Sequence, residues 1–275
     1  MKSNVLVVIG VGGIGMAIAK REGAGKIVLL SDINEQNLTK AAQELVDTGY
    51  VVETQLVDVS SLESVEALVS KATSLGNVLQ VVNTAGLSPN MASTEKILEV
   101  DLVGTVYILE EFGKVIDEGG AGIHISSMAG YMIPAFGAEI DTALSTTPAS
   151  ELTKLPVLQP ENIANTTHAY CISKRANQLR VQAESLKWGE RGARVNSISP
   201  GIILTALAKH ELESPIGDGY RAMISASAAK RVGTVDEVAT LAHYLLNQDA
   251  GFTTGSDFLM DGGVIAAMKL GKISL

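Results

Sequence analysis

Tyr170 and Lys174 stand four residues apart in AYCISKRANQLRVQAESLKW, a stretch with helical periodicity. Side chains at that spacing leave one face of a helix, one turn apart. A free phenol has a pKa of about 10, and an ammonium one turn away favours the phenolate, which brings the hydroxyl towards proton donation and acceptance near working pH. An ordinary solvated pair on a helix surface has the same spacing, so the pair acquires meaning only from its surroundings.

A second group of residues points to a nucleotide. Gly10, Gly12 and Gly15 follow the apolar run VLVVI in GxGxxG spacing, with Gly13 and Ile14 between them, and the loop opens the helical stretch MAIAKREG. Backbone N–H groups and the dipole at such a helix start can hold a pyrophosphate. The bland alternative is a tight strand-to-helix turn. Asp32 ends the next apolar run, 17 residues after Gly15, near the spacing at which an acid bonds a ribose 2'-hydroxyl. A carboxylate there repels a 2'-phosphate, and GVGGIG contains no Lys or Arg to neutralise one, so NAD(H) is expected in preference to NADP(H). Asp32 could instead cap a helix beginning near Asn34.

The elements that would position these groups recur along the chain. NVLVVIG, KIVLLSD, ETQLVDV, VLQVVNTAG, GIHISS, RVNSISPG and DFLMDGG are apolar runs of strand length, mostly separated by amphipathic stretches of helix length. Strands buried on both faces with helical crossovers predict an α/β fold, a doubly wound parallel sheet in a single domain. Ligands sit outside the carboxyl ends of such strands. GVGGIG, SD, DV, NTAG, SSMAG and SPG all fall there.

Composition narrows the classes. The 275 residues carry a net charge of −9 and are 46% hydrophobic, enough for one large core. The 21 Lys and Arg are spread thinly, which argues against nucleic-acid or membrane-surface binding. A single cysteine, Cys171, and no CxxC or His/Cys cluster fit a reducing cytoplasmic setting and no metal site. No apolar run reaches the roughly 18 residues of a membrane span. Val7 to Ala19 has some features of a secretory leader, but four glycines within six residues spoil a helical leader, and another apolar run follows. From Tyr131 to His168 the rhythm breaks: Pro134, Pro148, Pro156 and Pro160 fall in a segment of patchy periodicity, read as an inserted lid.

With GVGGIG, NTAG (Asn83 to Gly86), SSMAG (Ser126 to Gly130), YCISK (Tyr170 to Lys174) and SPG (Ser199 to Gly201) in this order, the sequence resembles the short-chain dehydrogenase/reductase family, from Val5 to about Gly263. The resemblance implies a single Rossmann domain of about seven parallel strands with helices on both faces, acting as an NAD(P)-dependent oxidoreductase in a homodimer or homotetramer. It implies that Ser127 hydrogen-bonds the substrate oxygen and that Tyr170 exchanges a proton with it. Lys174 would lower the Tyr170 pKa and hold the nicotinamide ribose. Asp58 and Val59 would lie beside the adenine, Asn83, Ala85 and Gly86 in a cofactor-side turn, and Ile203 and Thr205 at the carboxamide.

Three departures stand out. Ile9 replaces the Thr of the usual TGxxxGxG loop, and the gap between Gly10 and Gly13 is one residue short. Asp101, in ILEVDLVGT, takes the place of an Asn that helps relay protons, and an ionised carboxylate has no donor. Ser127 and Tyr170 are 43 residues apart, where the family has roughly a dozen; the 131–168 segment supplies the excess. Other candidates read as duller: Cys171 as a packing residue, His168 as a surface or capping residue, and Leu179, Val181, Leu186 and Trp188 as core or subunit interface.

The expectation is therefore an oxidoreductase interconverting a secondary alcohol and a ketone on a partly apolar small molecule covered by 131–168 and about 205–230. The alternative, motivated by Asp101, is an NAD(H)-binding sensor or regulatory protein with weak or no catalysis.

Overall fold

The seven apolar runs form one parallel sheet in the computed structural model, which describes residues 2–213 and 217–273. The strands are β1 (Asn4–Ile9), β2 (Ile27–Asp32), β3 (Val51–Leu56), β4 (Asn77–Asn83), β5 (Ala121–Ile125), β6 (Arg194–Pro200) and β7 (Asp257–Met260). Their spatial order is β3-β2-β1-β4-β5-β6-β7. Central strands are buried almost throughout, as β1 and β5 are, whereas the edge strand β3 is only partly buried. This contrast explains why the central strands read as the more continuous apolar runs, while the third strand, expected in ETQLVDV, runs instead over Val51–Leu56 with polar residues at the sheet edge.

Along β1 the side chains alternate between two cores. Leu6 and Val8 join Val28, Leu30, Val82 and Ile123 against α1 (Gly13–Glu22), α2 (Glu35–Asp47) and α11 (Val235–Leu246). Val5, Val7 and Ile9 face the other way. There they pack with α3 (Leu62–Leu75), α5 (Gly104–Gly113) and Val181 and Trp188 of α8 (Thr166–Glu190). The 25-residue α8 is the longest helix, and Trp188 pins its end by donating from Nε1 to the Leu109 carbonyl at 3.0 Å. Leu186, by contrast, is 75% exposed and outside the core.

Shorter elements complete the chain: α4 (Thr94–Ile97), a π-helical turn at Leu98–Val103, α6 (Ala138–Thr146), α7 (Ala149–Leu152), α9 (Ala206–Glu213), α10 (Gly217–Ala226) and α12 (Val264–Lys269). The segment 131–168 thus contains the short helices α6 and α7, 3-10 turns at Pro156–Leu158 and Pro160–Asn162, and the start of α8. Its body lies on α8, where Arg175 pairs with Asp141 at 2.7 Å and Arg180 donates to the Thr147 carbonyl at 2.5 Å. Leu144, Leu152 and Leu158 fill a third apolar cluster with Ile172 and Ala176 of α8.

Strand order reverses between β1 and β4, and the loops leaving these two strands meet there. Gly10, at φ +90°, lies against Thr84, whose hydroxyl donates to the carbonyls of Ile9 and Gly10 at 3.1 and 2.8 Å. A Cβ on Gly15 would stand 2.1 Å from the Gly10 carbonyl oxygen and 2.9 Å from Thr84 Oγ1, whereas one on Gly12 would meet nothing within 4 Å. Gly15→Ala is therefore expected to destabilise the fold by about 1–3 kcal/mol through overpacking. Gly12→Ala should stay within roughly 0.5 kcal/mol of the parent; denaturant midpoints of the two variants check both.

Candidate active site

The catalytic candidates converge because α8 meets the loops that leave β4 and β5, at Gly86 and Ser126. Asn165 caps α8 by accepting from the His168 N–H at 2.9 Å, and His168 Nδ1 accepts from the Ala164 N–H at 3.2 Å. His168, expected as a surface or capping residue, braces the chain entering α8 while Asn165 is the cap. One turn into the helix, Lys174 Nζ lies 5.2 Å from the centroid of the Tyr170 ring. The Ser127 hydroxyl, after β5, faces the Tyr170 phenol closely enough to favour its phenolate and accepts from the Ala129 N–H at 3.1 Å. Ser126 donates instead to the Lys174 carbonyl at 3.0 Å. The adjacent serines therefore divide their work, one towards the phenol and one towards the helix.

Lys174 is buried, and a buried ammonium requires a counter-charge. Asp101, with no exposed surface, places Oδ1 3.8 Å from Lys174 Nζ. The same oxygen accepts the Leu87 N–H at 2.8 Å. The π-helical turn that carries Asp101 loosens the helical ladder. The Asp101 carbonyl accepts from Asn177 Nδ2 at 2.9 Å and from the Thr105 hydroxyl at 2.8 Å. Burial pushes the Asp101 carboxyl above its ordinary range, against the pull of Lys174 and the Leu87 N–H. Burial also raises Tyr170; Lys174 opposes this, Asp101 reinforces it, and the Ser127 hydrogen bond favours the phenolate. Behind Lys174, His124 is held well below the usual imidazole range by burial and then by the Lys174 charge. It is neutral and pairs through Nδ1 with Asn83 Nδ2 at 3.1 Å.

Tyr170, Lys174 and Ser127 open onto a cleft of about 780 Å³ that also has Gly12, Gly13, Ile14, Gly86, Ile203 and Thr205 in its wall. Met132 and Thr167, the two ends of the 131–168 segment, reach this cleft while the segment's body rests on α8. From 205–230, Ala206, Ala208, Leu212, Tyr220 and Met223 line it. Cys171 joins the wall with its thiol pushed up to about 11 by burial, which makes it a neutral packing group.

The remaining candidates stand behind the cleft wall. Gly10 and Gly15 shape the loop from within. Asp32 Oδ2 accepts the Val11 N–H of that loop at 2.9 Å and Oδ1 accepts the Asn34 N–H at 2.9 Å. The cap of α2 is Asn34, accepting from Asn37 N–H, and not Asp32. Asn83 is buried and uses Oδ1 to accept the Ala85 N–H at 3.1 Å, bracing the turn from inside. Asp58 accepts from the Ser60 N–H and hydroxyl, and Val59 is buried against Gly104. Burial raises the Asp58 carboxyl, but the Ser60 hydrogen bonds and the Lys96 charge outweigh it, leaving a net lowering.

Several supporting residues had no sequence signal. Gln178 Nε2 donates to the Ser127 carbonyl at 3.2 Å and to Ser199 Oγ at 3.0 Å. Ser199 and Ser197 donate to Asp257 Oδ1, and the Tyr131 hydroxyl donates to Asp257 Oδ2 at 2.6 Å. This chain ties the Ser127 backbone to β6 and β7. A glutamine one turn beyond Lys174 on α8 looks like any polar helix residue until the strands are in place.

The region 3–139 matches the sequence profile described as short chain dehydrogenase, and 147–265 matches the profile described as Enoyl-(Acyl carrier protein) reductase. A short-chain dehydrogenase/reductase of Alternaria brassicicola is 43% identical over 270 residues, 98% of each chain. The chain belongs to the short-chain dehydrogenase/reductase family. Galactitol 2-dehydrogenase (L-tagatose-forming) of Cereibacter sphaeroides is 26% identical, covering 91% of this chain and 90% of that protein. A solved short-chain type dehydrogenase/reductase from Mycobacterium ulcerans superposes with a TM-score of 0.76 at 24% identity, over 97% of this chain and 91% of that one, and shares the fold. This family member is thus a nicotinamide-dinucleotide oxidoreductase of small molecules on a Rossmann sheet. No helix among the described residues is long and apolar enough to cross a membrane, and no metal-binding cluster occurs among them.

Gln178→Leu removes the donor to the Ser127 carbonyl. The variant is expected to lower turnover about 10- to 100-fold, the cost of a slightly misplaced catalytic group, with NADH affinity nearly unchanged. Steady-state rates alongside NADH fluorescence titration check it.

Proposed function

We propose that this protein interconverts a secondary alcohol and a ketone on an uncharged, largely apolar small molecule, with NAD(H) as cofactor. The observation that carries the reading is the convergence of Ser127, Tyr170 and Lys174 on one apolar cleft at the reversal of strand order. Leu87, Met91, Met128, Met132, Ile202 and Met223 supply much of its wall, and Lys174 is the only charged side chain among its described lining residues. Apolar walls with a few convergent polar groups suit a substrate anchored through one oxygen. Galactitol, named for the related enzyme, is a polyol and would leave most of its hydroxyls facing methionine and leucine.

The residues present suit a dinucleotide. The start of α1 has open space above Gly12, and no acidic side chain lies in its first turn, so its N–H groups can receive a pyrophosphate. Gly86, Ile203, Thr205 and Lys174 would line the nicotinamide end, and Asp32 would take the ribose of the adenine end. A bound nicotinamide supplies hydride to a carbonyl carbon or accepts it from an alcohol. Tyr170 gives the proton to the substrate oxygen or takes it away, Ser127 donates a hydrogen bond to that oxygen, and Lys174 stabilises the phenolate. Asp58, Val59, Asn83 and Ala85 support the cofactor side by holding the turns after β3 and β4.

Tyr170→Phe is expected to cut turnover at least about 100-fold, as for loss of a positioned acid/base, with NADH binding nearly intact. A panel of cyclic ketones, polyols and carboxylated ketones assayed before and after the substitution should show activity confined to the uncharged apolar members. Unchanged turnover in Tyr170→Phe would sink the assignment. Fluorescence titration should find NADH bound at least about 10-fold tighter than NADPH, since Asp32 faces the added phosphate with like charge. Asp32→Ser should narrow that gap.

A further inference from the structure

Asp101 stands where the resemblance to the family places an asparagine, and the exchange adds a carboxylate to the interior of the site. Its surroundings show what that carboxylate acts on. Asp101 Oδ1 has two groups turned towards it, the Leu87 N–H at 2.8 Å and Lys174 Nζ at 3.8 Å. Both favour the ionised form, against the burial that pushes this carboxyl above its ordinary range. Oδ2 is buried without a hydrogen-bond partner. A Cβ on Gly86 would lie 2.7 Å from Asp101 Oδ1 and 3.3 Å from Lys174 Nζ. The glycine therefore lets the cleft wall close directly over the ion pair, and the pair acts on the cleft through almost no intervening matter.

Lys174 Nζ lies 3.8 Å from Asp101 Oδ1 and 5.2 Å from the centroid of the Tyr170 ring. Its ammonium favours the phenolate, and a carboxylate beside it cancels part of that field. The other groups facing this centre are uncharged. Ser127 comes from the loop after β5, Cys171 from α8 carries a neutral thiol, and His124 from β5 is neutral. Asn177 of α8 contributes an amide. Among the described residues at the centre, Lys174 and Asp101 thus hold the only opposing charges.

We propose that Asp101 is a counter-charge to Lys174 that keeps Tyr170 protonated through neutral pH and so confines efficient alcohol oxidation to alkaline pH. The inference rests on the reading of Tyr170 as the acid/base given above. In reduction a hydride from the reduced nicotinamide and the Tyr170 proton add across the carbonyl. The phenol O–H breaks as the alcohol O–H forms, and solvent reprotonates the phenolate. Oxidation needs the phenolate at the outset. An ionised Asp101 opposes the phenolate, so the oxidation limb rises only at more alkaline pH. Asp101 acts through Lys174 and Tyr170 without touching substrate, which makes it a positioning residue.

The test is a pH titration of tyrosinate absorbance on the whole protein, with Tyr170→Phe identifying the part that belongs to Tyr170. Asp101→Asn should move the Tyr170 transition down by roughly 1 pH unit or more, within the range of a nearby charge's effect. The alkaline limb of kcat/KM for alcohol oxidation should move with it. Asp101→Ser, smaller and equally uncharged, should give the same direction and guards against a variant that does not fold. A Tyr170 transition that stays in place in a folded variant, judged by its melting curve, overturns the proposal. Absorbance decides this inference without any turnover, whereas undiminished turnover in Tyr170→Phe would remove the acid/base reading itself.

Discussion

The ammonium of Lys174 is buried, and much of the site follows from that constraint. An uncompensated interior charge costs several kcal/mol, so the chain must bring a carboxylate to it from another element. The π-helical turn carries that carboxylate, with Asn177 and Thr105 donating to the Asp101 carbonyl. Burial, and then the same charge, keeps His124 neutral, while the charge opposes the burial that raises Tyr170. One cation thereby acts on the protonation of two buried neighbours. The burial that strengthens this coupling also makes it sensitive to a single carboxylate.

A second constraint is close backbone approach at the reversal of strand order. The loop after β1 and the turn after β4 touch through Gly10, Gly15 and Thr84, with no room for a Cβ at Gly15. Asp32 holds the same loop from β2 by accepting the Val11 N–H. Three neighbouring strands therefore fix the position of the start of α1 relative to α8. Since the sheet is buried on both faces, the alignment is as rigid as the two cores beneath it.

The segment 131–168 supports α8 more than it roofs the cleft. Its body shares an apolar cluster with Ile172 and Ala176 and meets Arg175 and Arg180 through Asp141 and the Thr147 carbonyl. Only its ends, Met132 and Thr167, enter the cleft wall. This face of α8 is polar in sequence yet buried in the fold, with Arg180 only 1% exposed. Its low amphipathicity follows from being packed on more than one side.

The sequence by itself determined the seven strands, the glycine loop and the Tyr170 to Lys174 spacing. Each depends on local periodicity or on residues a few positions apart, and a parallel sheet writes its central strands as uninterrupted apolar runs. It also singled out Asp101 by its departure from an expected amide. Tertiary structure alone decided that Gln178 holds Ser127, that Asn83 points inward to His124, that Asp101 faces Lys174 from a π-helical turn, and that 131–168 rests on α8. These contacts join residues far apart in the chain, up to 76 positions for Asn177 and the Asp101 carbonyl. Polar residues on a helix carry no mark of which distant strand will bury them, because burial is a property of the packed sheet and not of the local pattern.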